Sequence, residues 1–173
     1  MTSINLDKLN DLRKQGFRPV VVAAIVKNYK ILMFYHKKYS VWMLPQGGIS
    51  SGELPQEALQ RELSEEINYT FVENLRFPAK LFHEHRLKFP RHQHGSRTLF
   101  DDSGVYYEMK GKHYLFHVLE AIAPVNTLAE EFDDAAWLGY ENARNLVLEM
   151  PQKNKKDIIL KLLDMLVSAN YIK

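Results

Sequence analysis

Between Gly47 and Tyr69 the chain passes from a glycine-punctuated loop into a helical stretch that stacks carboxylates on one face. Few scaffolds tolerate that combination. Leu59, Leu63 and Ile67 repeat every four residues, which predicts a helix over 54–67 with one apolar row turned to a core. On that helix Glu62 stands three residues from Glu65 and four from Glu66, so the three acids share a face. Like charges so placed repel, and Arg61 cannot offset all three. Hard oxygen donors crowded in this way suit Mg2+ or Mn2+, with waters and substrate phosphates completing the coordination. Gly47, Gly48 and Gly52 ahead of the helix let backbone approach a ligand closely.

The remaining segments supply a frame for this one. Leu6, Leu9 and Leu12 with Gly16 as a stop predict a short amphipathic helix over 5–14. The β-branched run 18–26 reads as a buried strand, Asn28-Tyr29 as a turn, and 31–36 as a second strand. Residues 37–52 read as a loop. Further strands are expected at 80–89, 113–121 and 135–139, and helices at 140–149 and 154–169. The last helix turns Leu160, Leu163, Leu166 and Val167 inward. Residues 90–111 read as a long polar loop with Gly95, Gly104, Gly111, Phe100, Tyr106 and Tyr107, suited to stacking a base or acting as a lid, and equally to an ordinary excursion. Strands interleaved with helices and hairpins place the chain in the α/β class, a mixed sheet between helical layers. With no linker and no repeat, residues 1–173 are expected to form a single domain.

The net charge of +2 conceals an uneven distribution. Acids concentrate at Glu53, Glu57, Glu62, Glu65 and Glu66, and again at Glu130, Glu131, Asp133 and Asp134, leaving a basic remainder. Such a layout suits a polyanion bound through metal ions, although solvated faces explain charge clusters as well. No apolar run is long enough to span a bilayer, so no membrane partner is expected. The first residues lack the basic start and apolar stretch of a secretory signal. Absence of cysteine excludes disulfides and thiolate zinc sites and fits a cytoplasmic location. The pairs His83/His85 and His92/His94 could each share a strand face, but no third ligand stands at a recognised spacing, and zinc is set aside.

Segment 47–69 resembles the Nudix box, G-x5-E-x7-R-E-U-x-E-E-x-G-U with U apolar. Gly47, Glu53, Arg61, Glu62, Leu63, Glu65 and Glu66 match at the required spacing, while Asn68 and Tyr69 replace the last glycine and apolar residue. Asn68 is expected at a left-handed helix end, where asparagine is the next best residue after glycine. The resemblance implies a Nudix α/β/α sandwich with a mixed β-sheet. It implies hydrolysis of a phosphoanhydride with two or more Mg2+ or Mn2+ ions, held by Glu62, Glu65, Glu66 and the Gly47 carbonyl. Glu53 and Arg61 would support the loop as an ion pair, and Glu57, outside the pattern, receives no role.

Five shorter stretches (16–19, 42–48, 88–91, 131–133 and 155–157) are similar to the bacterial RNA pyrophosphohydrolases and the related dinucleoside polyphosphate hydrolases within that family. This likeness implies that Glu131 joins the metal site and that Arg18, Gln46 and Lys155 meet the substrate. It leaves Glu62, Glu65 and Glu131 as alternatives for the general base. The expected substrate is the 5′-triphosphate end of RNA, with dinucleoside polyphosphates second and ADP-ribose or nucleotide sugars third. A non-catalytic nucleotide-binding domain is the competing class, disfavoured by the intact acids. A monomer or homodimer is equally compatible.

Overall fold

The computed structural model describes residues 4–127, 129 and 131–173; Glu130 of the second acidic cluster lies outside them. Its centre is β1 (Phe17–Lys27), buried on both faces as its unbroken apolar run requires. The partner on one side is β8 (Gly111–Glu120), parallel and in register from Phe17 opposite Gly111 to Val26 opposite Glu120. Beyond it runs antiparallel β5 (Lys80–Lys88). On the other side β1 meets β2 (Lys30–His36) at one end and β4 (Gln46–Gly48) at the other. Two further antiparallel strands, β3 (Val41–Met43) and β9 (Asp134–Leu138), flank β2. The sheet is therefore mixed. Asn28 and Tyr29, both with positive φ, close the turn expected between β1 and β2.

Alternation along β1 divides the core in two. Val21, Ala23 and Ile25 face a layer formed by α1 (Leu6–Lys14), α2 (Pro55–Glu66) and the short α3 (Tyr69–Glu73). Val20, Val22, Ala24 and Val26 face the opposite layer, α4 (Tyr140–Leu148) and α5 (Lys153–Ser168). In α5 the buried row is Leu162, Leu163 and Leu166, with Leu160 and Val167 at its margin. This is an α/β/α sandwich. No helix among the described residues is long and apolar enough to cross a membrane.

Three expectations are revised. Residues 37–52 are not one loop: they carry a 3-10 turn (Lys37–Tyr39), β3 and β4, strands of three residues that are too short for alternation to reveal. Residues 90–111 fold into a 3-10 turn (Arg91–Gln93) and a hairpin of β6 (Thr98–Phe100) and β7 (Tyr106–Glu108), and Gly111 already belongs to β8. Asn68 is extended, not left-handed. Its side chain accepts the Phe71 N–H at 2.7 Å and so starts α3, an N-cap that competes with the helix-ending role.

Gly111 sits where a Cβ would overlap the Leu87 carbonyl oxygen of β5 and press on the Phe17 ring. Because that obstacle is backbone, Gly111→Ala should destabilise the fold by about 1–3 kcal/mol, read as a lower urea midpoint. An unchanged midpoint would refute close approach of β5 and β8 at this point.

Candidate active site

The turn entering α2 is fixed by two acids other than Glu62, Glu65 and Glu66. Glu57 accepts the Leu54 N–H at 2.7 Å and caps the helix, a structural part that its place outside the box pattern did not suggest. Glu53 accepts the Ser50 N–H at 2.8 Å. Arg61 meets Glu53 in a two-pronged pair, Nε to Oε1 at 2.8 Å and Nη2 to Oε2 at 2.9 Å. The same guanidinium donates to the Gly48 carbonyl at 2.9 Å, to Glu62 at 2.6 Å and to Glu65 at 3.4 Å. One side chain thus ties loop, helix and two of the acids together. These hydrogen bonds hold the Glu53 carboxyl below its ordinary range.

The Gly47 Cα lies against the Glu62 carboxylate, so a Cβ there would overlap it; a Cβ on Gly48 would overlap the Arg18 guanidinium. Both glycines are required by close approach. Glu66 is buried and accepts the Gln46 N–H at 3.1 Å. Burial, reinforced by Glu62, Glu131 and Glu65, pushes its carboxyl up to about 8. Burial also raises Glu62, against the opposing pull of Arg61. Glu65 is the exposed member of the set. Glu131, in the stretch before β9, comes to this place through its N–H, 3.5 Å from the Glu66 carbonyl.

Among the described residues, no three acidic or histidine side chains converge closely enough to cage an ion on their own. The donors here are nonetheless all oxygen, and Glu66 is a buried carboxylate whose neighbours are further carboxylates. Mg2+ is commonly held by one or two carboxylates plus waters and substrate phosphates, not by a full protein cage, and these residues fit it.

Cations lie close to the same loop. Arg18 opens β1 and lies beside Lys112 in the parallel register. Burial lowers both, and each is lowered further by Arg97; Lys112 also feels Arg18 and Lys155. The Glu62 charge opposes this lowering of Arg18, whose guanidinium lies against Gly48 of the box loop. Sequence reasoning named Arg18 and Lys155 but missed Lys112. The signal for Lys112 is a long-range parallel pairing, which periodicity does not carry.

A cleft of about 470 Å3 opens beside this charge boundary, lined by Gln46, Glu66, Glu131, Phe132, Gln152 and Lys155. His36 and Tyr39 meet at its wall with tilted rings, centroids 4.6 Å apart. A second, apolar slot shares Gln46 and Lys155 and adds Tyr114 and Phe116. Gln46 and Lys155 therefore line both the acid-bearing cleft and the apolar slot. His83 and His85, the zinc pair set aside above, lie on β5, where His83 stacks on Phe116 at 6.1 Å.

Residues 17–162 match the model of the NUDIX domain. The chain belongs to the Nudix hydrolase family. Among its relatives, an RNA pyrophosphohydrolase of Aliivibrio fischeri is 33% identical over 130 residues, 72% of this chain and 73% of that one. One from Pseudoalteromonas translucida is 31% identical over 131 residues, 73% of each chain. Among solved structures, the dihydroneopterin triphosphate pyrophosphohydrolase of E. coli aligns with a TM-score of 0.58 at 16% identity, covering 85% of this chain and 97% of that one. A C. elegans Ap4A hydrolase aligns at 0.55 and 18%, covering 87% and 96%. These two show the shared Nudix fold. Nudix hydrolases generally use divalent metals such as Mg2+.

Gly47→Ala offers a direct check of the loop–helix contact. The added methyl must displace the Glu62 carboxylate, and kcat/KM should fall about 100-fold with circular dichroism unchanged. Full activity in this variant would show that Glu62 need not lie against the loop.

Proposed function

We propose that this Nudix hydrolase removes pyrophosphate from the 5′-triphosphate end of RNA, leaving a 5′-monophosphate. The observation that carries the reading is one cleft lined by Glu66 and Glu131 together with Lys155, beside which Arg18 lies at the Gly48 end of the box loop and pairs with Lys112. Only a substrate that is itself polyanionic, and that brings or meets cations at the acidic side, satisfies both sets of charge. The RNA pyrophosphohydrolases to which the chain is about one-third identical support the same choice. Dinucleoside polyphosphates such as diadenosine tetraphosphate are the second reading, because the same cations would accept their phosphate chain.

In this reading Glu62, Glu65, Glu66, Glu131 and the Gly47 carbonyl hold two or more Mg2+ or Mn2+ ions. Such ions, when bound, acidify water and neutralise the leaving oxygens. Arg18 and Lys155 hold the phosphate chain, and their fixed charge favours the transition state over the bound ground state. Gln46, lining both the cleft and the slot, contacts the substrate where phosphate gives way to nucleoside. The proton of the attacking water passes to Glu62, Glu65 or Glu131; burial, which raises Glu62, makes it a readier proton acceptor near neutral pH. Glu53 and Arg61 position the loop. The chain acts as one catalytic unit over residues 1–173, without a membrane partner, in the cytoplasm, as a monomer or homodimer.

Incubation with Mg2+ and a panel of triphosphorylated RNA, diadenosine tetraphosphate and ADP-ribose tests the assignment. Pyrophosphate and monophosphorylated RNA should form fastest; preference for ADP-ribose would overturn the substrate. Glu66→Gln keeps an acceptor for the Gln46 N–H but cannot ionise to hold a cation, so turnover should drop at least about 100-fold while the unfolding midpoint holds or rises. A variant with wild-type turnover would remove Glu66 from the metal site. Arg18→Ala should raise KM or lower kcat for triphosphorylated RNA by about tenfold or more, measured in the same assay.

A further inference from the structure

A second cleft lies at the opposite end of the sheet. Arg18 and Lys112 stand near the start of β1 and β8, while Lys27 and Glu120 close the same two strands. Lys27 is nine positions beyond Arg18 on β1, about 30 Å at the rise of a strand. Lys80 opens antiparallel β5 at this far end, opposite Val118. Here a cleft of about 480 Å3 is lined in part by Lys27, Arg76, Lys80, Glu120, Tyr29 and Tyr171. It shares no lining residue with the acid-bearing cleft.

Two tight reversals of the backbone bring its tyrosines to the rim. Asn28 and Tyr29 form the two-residue turn between β1 and β2, with φ of 49° and 60°. Such a turn favours glycine at its second place, and a bulky side chain there is strained. The chain holds a tyrosine instead, 52% exposed, with the Lys173 ammonium 3.8 Å from its ring centroid. Turn stability does not ask for a ring at this place; contact with something beyond the turn does. At the other reversal α5 ends on left-handed Asn170. The Asn170 N–H donates to the Val167 carbonyl and the Tyr171 N–H to the Leu166 carbonyl, both at 2.9 Å. The Tyr171 ring then stands edge-on to Phe82 at 5.6 Å.

The cations here outnumber the acids. Arg76 pairs with Glu120 at 3.3 Å, but both are exposed, and a pair of that kind contributes little to the fold. Lys80 Nζ donates to the Tyr171 hydroxyl at 3.3 Å, and neither Lys80 nor Lys27 forms an ion pair among the described residues. Three cations against one acid select an anion, and a guanidinium beside ammonium groups suits phosphate. Tyrosine rings suit a planar base, and the volume is that of a small-ligand site. A bare phosphate leaves both rings unused, and an uncharged aromatic leaves Lys27 and Lys80 unpaired. We infer that this cleft is a second binding site, for one nucleotide unit, its phosphate held by Arg76, Lys80 and Lys27 and its base set against Tyr29 and Tyr171. The unit is a free mononucleotide or one nucleotide of an RNA strand, since the chemistry of recognition is the same. The inference does not rest on the reaction proposed above.

Calorimetric titration with AMP at fixed Mg2+ and ionic strength reads binding without turnover, because AMP has no anhydride to hydrolyse. Lys80→Ala and Arg76→Ala should each weaken AMP by about tenfold. Ribose 5-phosphate, which lacks the base, should bind wild type about tenfold more weakly than AMP. Tyr29→Gly should weaken AMP but not ribose 5-phosphate, with an unfolding midpoint that holds or rises because glycine relaxes the turn. Lys155→Ala, at the acid-bearing cleft, should leave the Lys80-dependent binding in place. Absence of AMP binding to wild type overturns the inference, as does AMP binding that Lys80→Ala and Arg76→Ala leave intact. Ribose 5-phosphate binding as tightly as AMP, or a Tyr29→Gly variant with unchanged AMP affinity, reduces the cleft to a phosphate site and overturns the nucleotide assignment. A short oligoadenylate with a 5′-hydroxyl end separates the two sources. Lys80-dependent binding tighter than that of AMP identifies the RNA strand, and weaker binding identifies the free mononucleotide.

Discussion

The Arg61 guanidinium is the contact on which the site depends. It binds Glu53 with two prongs, the Gly48 carbonyl with another nitrogen–oxygen contact, and Glu62 at 2.6 Å. Loop and helix are separate elements, and beside the Gln46–Glu66 bond this guanidinium is their main polar tie. A planar, permanently charged fork can hold three oxygen partners in fixed directions, which a lysine ammonium cannot do. The pairing also decides how much acid repulsion the helix must bear. Glu62 and Glu65 share the positive charge, while Glu66 turns inward to the Gln46 N–H and bears the cost of burial.

The meeting of opposite charges at one end of the sheet follows from strand register. Parallel pairing of β1 with β8 sets Arg18 beside Lys112, and β4 against the start of β1 sets Gly47 and Gly48 beside the same strand. The acids arrive from α2, packed on one face through Leu59 and Leu63, and Lys155 arrives from α5 on the other face. Cations and carboxylates therefore meet at one end of the sheet because both helical layers are registered to β1. α1 and the hairpin, joined through Asn10 and Asp102, extend this edge with elements that the family match does not wholly include.

Much of the frame was legible because its signals are local. The unbroken apolar run of β1, the four-residue row Leu59, Leu63, Ile67 and the Leu-rich last helix each announce an element within a few residues of its bounds. What escaped was short or long-range. β3 and β4 are three residues each, and Gln46-Gly47-Gly48 has no strand propensity; it is a strand because β1 offers it an edge. The hairpin over 98–108 was hidden in a polar segment whose order comes from Asp102 and its partners on α1 and the box loop. Asn68 was read for the backbone angle that the box pattern asks of it, whereas its side chain found a better use capping α3.

Spacing alone determined which residues can act together on α2: a helical repeat puts Glu62, Glu65 and Glu66 on one face wherever the helix lies, and the matched box assigns the family. Tertiary structure decided what those acids confront. It brought Lys112 to Arg18 through a parallel pairing between residues 94 positions apart, tied the hairpin to α1 through Asp102, and buried Glu66 while leaving Glu65 in solvent. The physical reason is range. Helical periodicity is written in neighbours a turn apart, but electrostatic environment depends on every charge within several ångströms, whatever its distance along the chain.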